Sequence, residues 1–256
     1  MDFHAARALL AWQVELGADE PIGEAPVNRY DLASEAPKPP AERREAAPVV
    51  AMDEADPVAL ACAVAAGVKT LAGLAEAQAA YDLCELKKGA RNFVFADGNP
   101  GARVMIIGEA PGRDEDLEGR PFVGRAGQLL DRMFAAIGLS RSAPDPIAAF
   151  YITNVMPWRP PSNRDPEPAE IAMMLPFLEK HVELADPGLI VLMGNTPCAA
   201  ALGQRGILRL RGKWAEAFGR PVLPMTHPAY LLRNPAAKRE AWADLLALKA
   251  RLMERT

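Results

Sequence analysis

Arg103-Val-Met-Ile-Ile-Gly-Glu-Ala-Pro-Gly-Arg-Asp-Glu-Asp116 carries four apolar residues without a break into Gly108 and then a carboxylate. A continuous apolar run of that length marks a strand covered on both faces, as in a parallel sheet between helices. The run stops on small residues and acids, so Glu109 and Glu115 stand where open α/β sheets bind ligands, beyond the carboxyl ends of the strands. Outward from this stretch the chain alternates. Gly127 to Ile137 reads as an amphipathic helix with Leu129, Leu130, Met133, Phe134 and Ile137 on one side. Strands are expected at 149–155, 189–193 and 222–225, and helices at 168–185, 196–202 and 238–253. This predicts an α/β fold: a three-layer α/β/α sandwich around a mostly parallel four-stranded central sheet with right-handed crossovers.

The chain is organised unevenly before residue 81. Residues 3–16 predict a short helix ended by Gly17. Residues 18–50 hold six prolines and no sustained period, which reads as a flexible Pro/Ala/acidic linker. A helical lead-in over 57–80 opens a catalytic domain spanning 51–256. Residues 1–80 carry 6 basic and 13 acidic side chains, whereas residues 81–256 carry 23 and 20. The net charge of −4 is therefore an acidic appendage on a mildly basic domain, a balance that permits a nucleic-acid partner. Cys62, Cys84 and Cys198 are far apart and form no CxxC pair, which suggests a reducing compartment. With no leader-like start and no apolar run of about 18 residues, the expectation is a cytoplasmic monomer without a membrane partner.

Four constellations carry chemistry. Gly108-Glu-Ala-Pro-Gly112 lets a flat group approach the backbone; a plain turn with Glu109 in solvent is the bland alternative. Gly119-Arg-Pro-Phe-Val-Gly-Arg-Ala-Gly-Gln128 leads into a helix whose first amides attract anions. Phe122 is there either a stacking platform or a core residue. Tyr151-Ile-Thr-Asn154 ends a strand on an amide that can read a carbonyl beside an N–H, or simply cap the strand. Arg159 and Arg164 follow as candidate phosphate ligands. In Met225-Thr-His-Pro-Ala-Tyr-Leu-Leu-Arg233, His227 stands at a strand end, while His4 and His181 sit in ordinary helical contexts. Leu231, Leu232 and Arg233 suit a wedge into a base stack, or a hydrophobic staple for the last helix.

Several chemistries are excluded. There is no Gly-Lys-Ser/Thr phosphate loop and no Gly-x-Gly-x-x-Gly fingerprint. No zinc-like His or Cys spacing occurs, and no Gly-x-Ser-x-Gly elbow.

Taken in this order, the four constellations resemble the family 4 uracil-DNA glycosylases, over about residues 81–256. The resemblance implies a monofunctional glycosylase that flips deoxyuridine from double- or single-stranded DNA, hydrolyses the N-glycosidic bond and leaves an abasic site. It places Glu109 and Ala110 at base and water, Glu115 against C5 of uracil to reject thymine, Phe122 on the flipped base and Asn154 at its Watson–Crick edge. His227 falls near O2 of the leaving base. Leu231, Leu232 and Arg233 would enter the duplex, and Arg120, Arg159 and Arg164 would meet its backbone. Alternatives are a glycosylase for hypoxanthine or xanthine, or a catalytically weak DNA-binding repair protein. A relative that traps uracil covalently would need a Gln after Gly-Glu and a basic His-bearing loop, neither of which is here.

One departure stands out. The resemblance implies a 4Fe-4S cluster on four cysteines, whose positions are here Tyr81, Cys84, Trp158 and Met174. One thiolate cannot hold such a cluster. The expectation is a cofactor-free member in which these side chains fill the vacated volume. The acidic N-terminal region is a candidate tether for a repair partner.

Overall fold

The computed structural model describes Arg7 and residues 56–254. The expected helix at 3–17 and linker at 18–50 lie outside the described residues. Asp56 and Pro57 start α1 (Pro57–Ala66), the Asp56 carboxylate accepting the Val58 N–H at 3.0 Å. Thr70 caps α2 (Leu71–Ala80) through the Gly73 N–H. The expected single lead-in helix is thus two, because a threonine in extended conformation serves better as a cap than as a mid-helix residue.

After the single turn α3 (Leu86–Gly89) come β1 (Ala96–Gly98), β2 (Val104–Gly108), α4 (Arg113–Glu118) and α5 (Arg125–Ala135). Then follow β3 (Phe150–Asn154), α6 (Pro168–Ala185), β4 (Leu189–Met193) and α7 (Asn195–Leu202). The chain closes with α8 (Ile207–Leu210), β5 (Ala215–Ala217), β6 (Arg220–Met225), α9 (Pro228–Arg233) and α10 (Lys238–Glu254).

Among the described residues the sheet has six strands in the order β1-β3-β2-β4-β6-β5. β3, β2, β4 and β6 are parallel, the four strands expected; β1 and β5 are added antiparallel at the two edges. The edge strands escape a sequence reading because each has three residues and little burial. Side chains alternate across the sheet. Met105, Ile107, Ile190 and Leu192 face one apolar layer together with residues of α1, α2 and α6. Val104, Ile106, Val191 and Leu223 face a second layer with Leu130 and Phe134 of α5 and Leu245 and Leu248 of α10. The three-layer sandwich is therefore present.

From the central β2 the chain crosses through α5 to β3 on one side, then through α6 to β4 on the other. The order reverses between β2 and β4, and a crevice forms there at the carboxyl ends of the strands.

Candidate active site

The crevice is a cleft of about 520 Å³, within the usual size for small-ligand sites. Its walls come from the ends of β2, β4 and β6 and from the loop before α5. Glu109, Ala110, Glu115, Phe122, Gly194, Thr226, His227, Tyr230 and Arg233 are among the lining residues.

Asn154 ends β3 beside β2, its Cα paired with Gly108. It is buried, and neither Oδ1 nor Nδ2 has a hydrogen-bond partner in the protein. A buried amide left unpaired carries a desolvation penalty of about 1–3 kcal/mol. The amide makes no capping hydrogen bond in the protein, and both its atoms remain able to bond a ligand that reaches them. Gly108 allows this arrangement, for a Cβ there would overlap both Asn154 Oδ1 and the Phe122 ring.

Phe122 belongs to the core and also faces the cleft. It is buried in the second apolar layer and lines the cleft, its ring centroid 5.4 Å from that of His227. Its φ of 53° lies in the left-handed region.

His227 caps α9. Its Nδ1 accepts the Ala229 N–H at 3.1 Å, so the neutral ring carries its proton on Nε2 and keeps one donor. Burial, with the Arg233 charge adding to it, pushes its pKa down to about 4. The imidazole is therefore a neutral donor at physiological pH, not an acid.

Glu109 directly follows β2. Burial raises its carboxyl above the usual range, opposed by a hydrogen bond from the Thr196 hydroxyl to Oε2 at 2.6 Å. Thr196 escaped the sequence reading. Gly194-Asn-Thr at the end of β4 is a polar strand end like Asn154 and His227, and that signal was available.

Glu115 lines the cleft, yet three backbone amides occupy its carboxylate: Gly112 on Oε2 at 3.1 Å, Val123 and Gly124 on Oε1 at 2.9 Å each. The Val123 and Gly124 amides just before α5 are thus bonded to Glu115 rather than open to an external anion.

The expected DNA-contacting residues divide. Leu231 is fully buried against Leu129 and Ala241 and is no wedge; the staple reading holds for it. Leu232 is half-buried against the same group, and Arg233 is exposed at the cleft mouth. Arg164 does not present a free guanidinium: it forks onto Glu170 at 2.6 and 2.9 Å. Arg159 bonds Asn163 at 2.8 Å, and the exposed Arg120 pairs with Glu118 at 2.9 Å.

Tyr81, Cys84, Trp158 and Met174 all lie buried in the first apolar layer. The Tyr81 hydroxyl donates to the Pro57 carbonyl at 2.7 Å and its ring meets Phe177 edge-on at 5.4 Å. The Trp158 ring lies 5.7 Å from Phe93, and Gln78 Nε2 contacts Met174 Sδ at 3.8 Å. Burial raises the Cys84 thiol. One neutral thiol, a thioether, an engaged phenol and an indole do not form the donor set of a 4Fe-4S cluster.

Together, an aromatic face, an unpaired amide, a neutral imidazole donor and a carboxylate suit a flat heterocycle with a carbonyl and N–H on its edge, and a bond to be hydrolysed at its rim.

Residues 95–246 match the model of the uracil DNA glycosylase superfamily. The type-4 uracil-DNA glycosylase of Archaeoglobus fulgidus is 40% identical over 170 residues, covering 63% of this chain and 82% of that protein. That of Saccharolobus solfataricus is 38% identical over 179 residues, 66% of this chain and 80% of the relative. That of Thermotoga maritima is 39% identical over 154 residues, 59% and 77% respectively.

Proposed function

The chain belongs to the uracil DNA glycosylase superfamily, and from that premise we propose that it excises uracil from DNA by hydrolysing the N-glycosidic bond of deoxyuridine. The observation that carries the reading is Asn154: a buried amide with no partner in the protein, at the end of β3 and against the Phe122 ring. An amide can donate to O4 and accept from N3–H of uracil; cytosine presents the opposite pattern. The flipped base would stack on Phe122, with flipping costing a few kcal/mol.

As the bond breaks, the base gains negative charge and the sugar positive charge. A neutral His227 donating through Nε2 near O2 stabilises the charge that appears only in the transition state. Glu109, held by Thr196, orients the attacking water or offsets the sugar's charge. Glu115 cannot swing aside because three amides hold it, which makes it a rigid wall against the methyl group of thymine. Among the described residues no lysine lines the cleft. No amine is therefore placed to form an imine with the abasic sugar, in keeping with a glycosylase that does not cut the strand.

The reading extends to a cytoplasmic monomer whose acidic N-terminal segment recruits a repair partner. Pull-downs with and without residues 1–50 test that part. Excision itself is tested on labelled oligonucleotides carrying U:A, U:G, T:G, hypoxanthine or single-stranded uracil, with N154A and H227A as controls. Uracil release is expected, at least as fast from U:G as from U:A; none above the mutant background would overturn the reading.

A further inference from the structure

Phe122 sits in a backbone conformation that a bulky side chain adopts only when its surroundings impose it. The carbonyls of Pro121 and Phe122, on the two sides of that conformation, are both held by Arg141, in the loop between α5 and β3. Its Nη1 donates to the Pro121 carbonyl at 2.9 Å and its Nη2 to the Phe122 carbonyl at 3.0 Å. The same guanidinium is fixed from behind: Nε donates to Asp131 at 2.9 Å and Nη1 to Asp97 at 3.0 Å. Its Cζ lies 5.8 Å from the centre of the Phe150 ring. The side chain is only 14% exposed. On the other side of the Phe122 carbonyl lies Gly127, where any Cβ would collide with that oxygen.

We propose that Arg141 is a positioning residue for base recognition: its guanidinium clamps two successive carbonyls and so holds the Phe122 ring at the angle needed to stack on the flipped uracil. The proposal rests on the uracil-excision reading. Neither Arg141 nor its carboxylates line the cleft, so Arg141 acts through Phe122 rather than by touching substrate. The planar fork matters more than the charge. Two adjacent carbonyls and two carboxylates require four N–H directions in one plane, which a lysine ammonium lacks. Asp131 on α5 and Asp97 on β1 make the clamp a tie between the sheet edge, the helix and the recognition loop.

A double-mutant cycle of R141K with F122A tests the clamp. R141K is expected to lower kcat/KM on uracil-containing duplex by between about tenfold and about a hundredfold, the range for a displaced recognition group. In the F122A background the same change should alter kcat/KM less than about twofold. Binding should split in parallel: R141K weakens the affinity for duplex carrying non-cleavable 2′-fluoro-deoxyuridine and leaves that for unmodified duplex unchanged. An equal loss in both backgrounds, equal weakening on both duplexes, or full activity of R141K would overturn the proposal. If R141K fails to fold, D131N, which removes one half-exposed partner, is expected to give the same pattern at smaller amplitude, and an additive cycle there overturns it. Wild-type protein that neither excises uracil nor prefers the analogue duplex marks failure of the functional reading. The clamp is then read in F122W, whose emission must shift on adding R141K.

Discussion

The Thr196 hydroxyl donates to Glu109 Oε2 at 2.6 Å, joining the first turn of α7, which follows β4, to the residue after β2 across the point where the strand order reverses. Thr196 is buried and its hydroxyl needs a partner. In the mechanism proposed above, this bond fixes one Glu109 oxygen and leaves the other for water or sugar. Thr196→Val is expected to lower kcat/KM about tenfold and to move its acid limb to higher pH, since a donor that favours the anion is lost. Thr196→Ser should restore both. Steady-state rates across pH on a uracil oligonucleotide read the outcome.

The pH dependence should follow Glu109, not His227. Burial holds the His227 pKa near 4 and raises that of Glu109 above its ordinary value. On lowering pH from 8, His227 stays neutral while Glu109 becomes protonated first. His227→Gln should therefore reduce the rate on the order of a hundredfold to a thousandfold, as for loss of an oxyanion donor, and leave the acid limb in place. Glu109→Gln should remove the limb with the activity.

Stability should respond to acid through the same histidine and through His181, whose pKa burial pushes down to about 3. In the unfolded chain both titrate near 6.5. Between about 6.5 and 3 the unfolded chain therefore binds more protons, so folding weakens as pH falls and is strongest above 6.5. Thermal melts from pH 7.5 to 4 should show a falling Tm, less steep in His181→Gln.

Asn154 is expected to trade stability for function. Its unpaired amide is a burden in the free protein. Asn154→Leu should leave Tm unchanged or raise it, because removing an unsatisfied buried amide is neutral or favourable. The same change should abolish uracil excision. A clear fall in Tm would point instead to a partner for that amide in the free protein.

Leu231 and Arg233 should separate core from interface. Leu231→Ala is expected to destabilise by about 2–5 kcal/mol, the range for a truncated core leucine. Arg233→Ala should leave Tm alone, weaken binding to all duplexes and reduce the salt slope by about one. Chemical denaturation and titrations at several salt concentrations distinguish the two.

Protein purified without oxygen should contain no stoichiometric iron or acid-labile sulfide. Trp158→Ala and Met174→Ala should each destabilise by about 3–5 and 2–5 kcal/mol, because both side chains fill buried volume. Near-stoichiometric iron would sink the cofactor-free reading.

Most of the scaffold was legible because long buried strands and amphipathic helices announce themselves by period. Val104–Gly108, Leu189–Met193 and Pro168–Ala185 lie where the pattern puts them. β1 and β5 were not legible, being three residues long with little burial. In the site, Glu109, Asn154 and His227 were visible as polar residues ending apolar strands. Leu231 was misread because Leu231 and Leu232 look alike in sequence, and only the rotation of α9 against α5 tells which one faces inward. The pairing of Arg164, which also lines the cleft, was not legible because a guanidinium shows no sign of its partner until Glu170 is folded beside it.

By itself the sequence determined the layered sheet and the polar residues at its strand ends, for each depends on residue type and local spacing; the family resemblance added that Tyr81, Trp158 and Met174 stand where three of four cluster cysteines are implied. Tertiary structure alone decided what each polar group is bonded to. Glu115 is tied to three amides, Thr196 reaches Glu109, Arg141 clamps Phe122, and Asn154 is left without a partner. Those pairings join residues brought together by strand order and crossover, which no local pattern encodes; Glu109 and Glu115 acquire their separate partners only from the neighbours that folding supplies.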